Sequence, residues 1–193
     1  EKAPVTMILG ACALSFALLL AIPLGVLAAM RPNTIFDRIS LGLAVVGQAL
    51  PTFWFALIMI IFFGVTMRWL PISGNSSWKN FIMPSIALGY YATPAIMRLT
   101  RAGMLDVLSS DYIRTARAKG LSRRQTLWRH ALRNALIPVL TIMGLQFSFL
   151  LAGAIIIEQV FFLPGLGRLV FQSISQRDLI VVESVVMPLV FAV

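Results

Sequence analysis

Basic side chains are concentrated in one stretch of the chain, residues 98–134. It holds nine of the 16 lysines and arginines against two acids, so it carries +7 of the total formal charge of +9. Such a cluster binds anionic lipid, nucleic acid or the acidic surface of a protein partner. We expect no nucleic acid here, because the cations are not interleaved with aromatic side chains on which bases could stack. A lipid-binding amphipathic hairpin and a docking element for a protein partner both remain open.

Groups that could carry catalysis or hold a cofactor are scarce. The chain has one histidine, His130, and one cysteine, Cys12, which excludes a histidine-based metal site and an internal disulfide. It also lacks a G-x-x-x-x-G-K-[ST] loop, whose backbone N–H groups would bind nucleotide phosphates. We therefore expect no catalytic residue, no metal site and no cofactor in this chain.

A few polar or helix-breaking residues lie inside otherwise apolar runs. Gln48 and Gln146 are the amides well inside such runs, and Pro51 can break a helix and free backbone carbonyls. These three residues are candidates for the lining of a polar pathway. The alternative is ordinary hydrogen bonding between helices of a bundle. Glu158, just after an apolar run, is expected at the outer membrane edge in an interfacial position.

Long apolar segments must position these groups. The chain is 59% hydrophobic and 12% charged, whereas soluble domains are about 45–50% apolar and about 25% charged. This composition excludes a soluble enzyme and a disordered segment. A transmembrane helix needs roughly 20 apolar residues, so we predict an all-α polytopic transmembrane bundle, forming a single domain over residues 1–193. Its five spans are the runs 7–30, 39–67, 80–97, 135–157 and 179–193, the last of them cut short.

The distribution of basic residues predicts the orientation of these spans. Short loops rich in lysine and arginine stay on the cytoplasmic side of a membrane. The stretch 98–134 is therefore expected inside, together with the loop 31–38, while 68–79 and 158–178 are expected outside. An external start at residue 1 predicts a further span before it, so we expect the sequence to be a fragment of a longer membrane-spanning chain.

Local signals within the basic stretch predict two helices joined at a glycine. Side-chain oxygens of Ser109, Ser110 and Asp111 could cap a helix over residues 112–119. Gly120 would end that helix in a left-handed conformation with a positive φ. Ser122 and Gln125 form the pattern of a capping box at the start of a second helix, which would run towards residue 134. We call this helix–Gly–helix segment, residues 109–134, the elbow.

The amino-acid sequence of the elbow resembles a known motif. The strings DYIRTARAKGLS (111–122) and RHALRNALIP (129–138) resemble the EAA loop of binding-protein-dependent ABC importer permeases, in the dipeptide, oligopeptide and nickel branch. The string FFLPGLGRL (161–169) is similar to the external turn of that branch. One difference is that Arg114-Thr115-Ala116 stands where the general loop begins with Glu-Ala-Ala.

This resemblance implies the core of an ABC importer permease, a non-catalytic subunit in a bacterial or archaeal cytoplasmic membrane. Its implied partners are a second related permease, two ATPases that bind ATP and magnesium, an external solute-binding protein and membrane lipid. Residues 104–134 would form the cytoplasmic coupling loop. The residues expected to couple to the ATPases are Arg114, Ala116, Arg117, Lys119, Gly120, Leu121, Arg123, Arg124 and His130.

The sequence leaves the transported solute open. Dipeptides, oligopeptides, a glutathione-like peptide and a nickel chelate all fit the branch that the elbow resembles. From a different class, a secondary transporter or channel would work without ATPases and would need ion-coupling acids within its spans. The third hypothesis is a membrane-anchored scaffold that binds lipid or protein through its basic loop.

Overall fold

The computed structural model describes residues 2–122 and 125–191, and within these every regular element is a helix. The all-α expectation is therefore confirmed for the described part of the chain. The helices are α1 (Ala3–Met30), α2 (Ile35–Ala49), α3 (Thr52–Met59), α4 (Ile82–Ser109), α5 (Asp111–Ala118), α6 (Leu132–Ala135), α7 (Ile137–Val160), α8 (Leu166–Ser175) and α9 (Leu179–Phe191). Two π-helical segments, Ile60–Thr66 and Thr126–Ala131, continue α3 and precede α6, and a 3₁₀ turn at Trp78–Phe81 precedes α4.

Two of the described helices, α1 and α7, are long and apolar enough to cross a membrane. The run 39–67, expected as one helix, is broken, because α2 ends at Ala49 and α3 begins at Thr52. Pro51 causes the break in two ways. A proline disfavours helical backbone at the residue before it, and Pro51 itself has an extended conformation with ψ of 134°. This broken pair is a third span if its two helices cross together. The count of five spans stays a prediction.

The chain divides into two compact units, and the expectation of a single domain stays a prediction. Unit 1 comprises residues 1–17, 49–92 and 144–193. Its core is built from apolar side chains of α1, α4 and α7, among them the buried Leu9, Leu88 and Leu151. The helices approach closely at Gly89, where an added Cβ would lie 2.3 Å from the Ala13 carbonyl oxygen.

Unit 2 comprises residues 18–48 and 93–143 and contains the elbow. Its buried cluster joins the end of α1, the end of α4 and both arms of the elbow. The members are Val26, Ala29, Met104, Ile113, Leu127, Ala131 and Ala135. Burial of apolar side chains from five helical segments in one cluster fixes the elbow on the rest of unit 2.

Glu158 is fully buried in unit 1, and its expected position at the outer membrane edge stays a prediction. The Thr6 hydroxyl donates to its carboxylate at 2.6 Å, and the Arg168 backbone N–H donates to it at 3.1 Å. Arg168 lies in the first turn of α8, whose N-cap residue is Gly165. The buried acid therefore caps a helix whose own N-cap residue has no side chain to do so.

Candidate functional site: the basic elbow

The first helix of the elbow begins where the sequence predicted, but not by the predicted means. Helix α5 starts at Asp111, and its N-cap residue Ser110 makes no side-chain capping hydrogen bond. Instead the hydroxyls of Ser109 and Ser110 donate to the carbonyls of Asp106 and Val107, at 2.8 and 2.5 Å. The two serines thus bind the free carbonyls at the end of α4, and the predicted serine caps are wrong.

Gly120 ends α5 in the left-handed conformation that the sequence predicted, with φ of +82°. The Gly120 N–H donates to the Arg117 carbonyl at 3.0 Å, and the Leu121 N–H donates to the Ala116 carbonyl at 3.3 Å. This pair of hydrogen bonds is a Schellman motif, which satisfies the last carbonyls of a helix and turns the chain sharply. Apart from its chain neighbours, no atom of the described residues lies within 4 Å of a Cβ added at Gly120, so the positive φ is the observed feature that favours glycine there.

The second arm of the elbow begins with the predicted capping box. The Gln125 N–H donates to the Ser122 hydroxyl at 3.3 Å, and the Ser122 N–H donates to the Gln125 side-chain oxygen at 3.2 Å. The arm continues as a π-helical segment, Thr126–Ala131, and then as the short helix α6. A turn at Leu136 follows α6. Arg123 and Arg124, both expected at the docking site, lie outside the described residues.

The apolar side of the elbow faces the interior of unit 2. Ile113 and Ala131 are 0% exposed, and Ala116 and Leu127 are also buried. Ile113, Leu127 and Ala131 pack in one cluster with residues of α1 and α4. The amphipathic-hairpin hypothesis would require these side chains to face lipid acyl chains instead. Trp128 differs, since 57% of its surface is exposed.

The opposite side of the elbow presents cations to solvent. Arg114, Arg117 and Lys119 are exposed on and just after α5, and His130 and Leu121 are half-buried. An open groove of about 730 Å³ on the second arm is lined by Ser122, Gln125, Trp128 and Arg129. The Asn134 amide donates to the Tyr112 hydroxyl at 2.9 Å and so ties the two arms together. A rigid corner with exposed charge can dock an acidic partner surface, and the coupling role of each named residue stays a prediction.

The three predicted pathway residues have different environments. Gln48 is exposed, and its side-chain oxygen accepts a hydrogen bond of 3.1 Å from the Arg98 guanidinium. Gln146 is buried in unit 1, with 8% of its surface exposed. Pro51 is exposed at the start of α3. The structure places Gln48 in unit 2 and the other two in unit 1, and their role in a pathway stays a prediction.

An ion pair that the sequence did not reveal joins α2 to α4. The Arg101 guanidinium donates twice to the Asp37 carboxylate, at 2.6 and 2.7 Å, and Asp37 is 2% exposed. The hydrogen bond with Asp37 raises the pKa of Arg101 above its ordinary value. An isolated acid 64 positions from its partner leaves no local pattern, so only a three-dimensional structure could reveal the pair.

Solved structures of ABC transporters share this fold. A chain of the MetNI methionine ABC transporter in an inward-facing conformation (a selenomethionine-soaked crystal form) superposes with a TM-score of 0.79, at 19% identity, over 98% of this chain and 87% of that chain. A chain of an amino acid ABC transporter with histidines superposes with a TM-score of 0.68, at 17% identity, over 99% and 87%. At these identities the likeness concerns the fold alone.

Curated relatives are much closer in sequence. The glutathione transport system permease protein GsiC of Escherichia coli (strain K12) is 46% identical over 169 residues, which cover 88% of this chain and 55% of that protein. The protein of the same name from Salmonella typhi is 45% identical over 172 residues, covering 89% and 56%. The chain thus spans about half the length of the curated relatives it matches.

The family comparison covers nearly the whole chain. Residues 21–193 match the family described as binding-protein-dependent transport system inner membrane component. The match includes the complete elbow and the turn before α8 that the sequence had singled out. The chain therefore belongs to the family of binding-protein-dependent transport system inner membrane components.

Proposed function

We propose that this chain is the core of a non-catalytic permease subunit in an ATP-driven importer of small peptides. The observation that carries the proposal is the elbow, whose apolar side is anchored in unit 2 while its cations face solvent. This arrangement suits a docking element that must transmit force, because the corner is fixed from within and its charged face is free for a partner. Residues Arg114, Ala116, Arg117, Lys119, Gly120, Leu121, Arg123, Arg124 and His130 would form this coupling site.

The partners in this proposal follow from the family. Two cytoplasmic ATPases would bind ATP and magnesium and dock on the elbow, while a second related permease would complete the membrane path. An external solute-binding protein would deliver the solute. The chain would cross the cytoplasmic membrane several times, with residues 98–134 inside, and would itself need no cofactor.

The substrate we favour is a glutathione-sized peptide. The support is the name of the two curated relatives, which are 46% and 45% identical to this chain. Dipeptides, longer peptides and a nickel chelate are the alternatives within the family. Gln48, Pro51 and Gln146 would supply polar groups along the path, and hydrogen bonding between helices is the competing role for the amides.

An ATP-dependent uptake measurement tests this function. The full-length permease would be reconstituted in lipid vesicles with its second permease, both ATPases and the binding protein. We expect labelled glutathione to enter only when ATP and the binding protein are both present. Unlabelled dipeptides or nickel should reduce this uptake only weakly. Uptake that continues without the ATPases, driven by an ion gradient, would instead identify a secondary transporter. The buried Glu158 is the observation that favours that second candidate.

A further inference from the structure

The ion pair between Asp37 and Arg101 has the geometry of a rigid link. The guanidinium meets the carboxylate with two parallel hydrogen bonds, from Nε to Oδ1 and from Nη2 to Oδ2. A two-pronged contact of this kind fixes the relative orientation of both side chains as well as their distance. It joins the first turn of α2 to α4 within unit 2.

Asp37 also holds the turn that connects α1 to α2. The Asn33 backbone N–H donates to its Oδ2 at 2.9 Å, and Asn33 has a positive φ of 62°. This buried carboxylate of α2 therefore accepts three hydrogen bonds, one from the α1–α2 turn and two from α4. A group with three such contacts determines where α2 starts relative to α4.

Helix α4 contacts the elbow directly after Arg101. Met104, one turn further along, belongs to the buried cluster that contains Ile113 and Leu127 of the elbow. At Gly103 an added Cβ would lie 2.7 Å from the carbonyl oxygen of Ala135, the residue directly after the elbow, so α4 and the end of α6 approach each other through their backbones. A shift of the elbow must therefore displace this part of α4, because close-packed interiors transmit small movements.

We propose that the Asp37–Arg101 pair is a positioning link that passes movement of the elbow through α4 to α2. The proposal rests on the importer function stated above, since it requires ATPases that move the elbow. Asp37 and Arg101 touch neither nucleotide nor solute in this account. They act by keeping α2 in register with α4 while the elbow moves.

The chemistry of the pair favours positioning over stability. A buried ion pair is weak support for a fold, because desolvation of both charges offsets their attraction. Replacing both charges with apolar side chains of similar size is often neutral or stabilising. A double variant, Asp37→Leu/Arg101→Met, should therefore fold while lacking the two-pronged link.

The test measures solute imported per ATP hydrolysed in the reconstituted full-length complex. The variants are Asp37→Asn, which removes the charge, and the double variant Asp37→Leu/Arg101→Met. Arg38→Gln is the matched control, because Arg38 is the exposed neighbour of Asp37. The ratio is measured on complexes purified with all their subunits, so a loss of folded protein alone does not change it.

We expect both link variants to assemble with the ATPases and hydrolyse ATP, while solute imported per ATP falls at least about ten-fold. Arg38→Gln should keep the wild-type ratio. A wild-type ratio in Asp37→Asn or in the double variant would overturn the link and leave the importer function intact. Failure of the importer function would appear differently, as ATP-independent uptake by the unmodified complex, and would remove both proposals.

Discussion

At the scale of single residues, Glu158 shows how unit 1 stabilises a helix whose N-cap residue is glycine. An added Cβ at Gly165 would lie within 2.1–2.3 Å of the Glu158 carboxyl group, so the carboxylate occupies the space beside the N-cap. Thr6 completes the arrangement, because its hydroxyl donates to Glu158 and accepts the Leu166 N–H at 2.9 Å. Two free N–H groups of the first turn of α8 are thereby satisfied.

Replacement of Glu158 by leucine should destabilise the protein. The Arg168 N–H would lose its acceptor, and an unsatisfied buried donor costs about 1–3 kcal/mol. Glu158→Gln should cost less, because its amide oxygen can still accept that hydrogen bond. Thermal unfolding in detergent micelles measures the order of stability, with Glu183→Leu as the control at an exposed acid of α9. Equal melting temperatures for Glu158→Leu and wild type would show that the contact contributes nothing.

At the scale of elements, one side of the elbow is packed against the rest of unit 2, while the opposite side is exposed and available to a partner. One side of α5 is fixed by Ile113 and Ala116, while Arg114 and Arg117, three positions apart, project outward. The Arg114–Asp111 contact of 3.4 Å does not restrict this face, since both side chains are largely exposed. The exposed cations are therefore available to an acidic surface, such as that of the proposed ATPase partner.

Neutralising these cations should weaken docking without unfolding the elbow. In Arg114→Gln/Arg117→Gln we expect affinity for the ATPases to fall by about 1 kcal/mol, or roughly five-fold, and to depend less on salt. The control is Lys79→Gln/Arg177→Gln, which removes the same charge from segments predicted to lie outside. Co-purification of the ATPases across a salt series measures the effect. An identical salt dependence for the docking variant and wild type would exclude these arginines from the contact.

Local signals predicted the elbow well because its geometry is set by neighbouring residues. The positive φ of Gly120 and the Ser122–Gln125 capping box depend only on residues a few positions apart. The serine caps were wrong for a local reason as well, because the end of α4 offered free carbonyls that competed for the hydroxyls.

Contacts between distant segments could not be predicted from the sequence. The Asp37–Arg101 pair and the burial of Glu158 against Thr6 join residues 64 and 152 positions apart. Composition placed the apolar helices α1 and α7, but hydropathy alone did not show that the run 39–67 breaks at Pro51.

At the scale of the whole molecule, the central claim is that the elbow couples this permease to its ATPases. Gly120 is the most direct probe, because an added Cβ meets no atom of the described residues beyond its chain neighbours, while the positive φ opposes a side chain there. Valine at a left-handed position costs about 1–2 kcal/mol, whereas asparagine adopts that conformation more readily. The two variants therefore differ mainly in whether the corner keeps its shape.

The decisive measurement is the stimulation of ATP hydrolysis by loaded binding protein in complexes that carry Gly120→Asn or Gly120→Val. Gly103 is unsuitable as a control, because an added Cβ there would clash with Ala135. We expect Gly120→Asn to retain stimulation and uptake, and Gly120→Val to lose both at normal membrane abundance. Full stimulation and uptake in Gly120→Val would contradict the account and remove the elbow from the coupling mechanism.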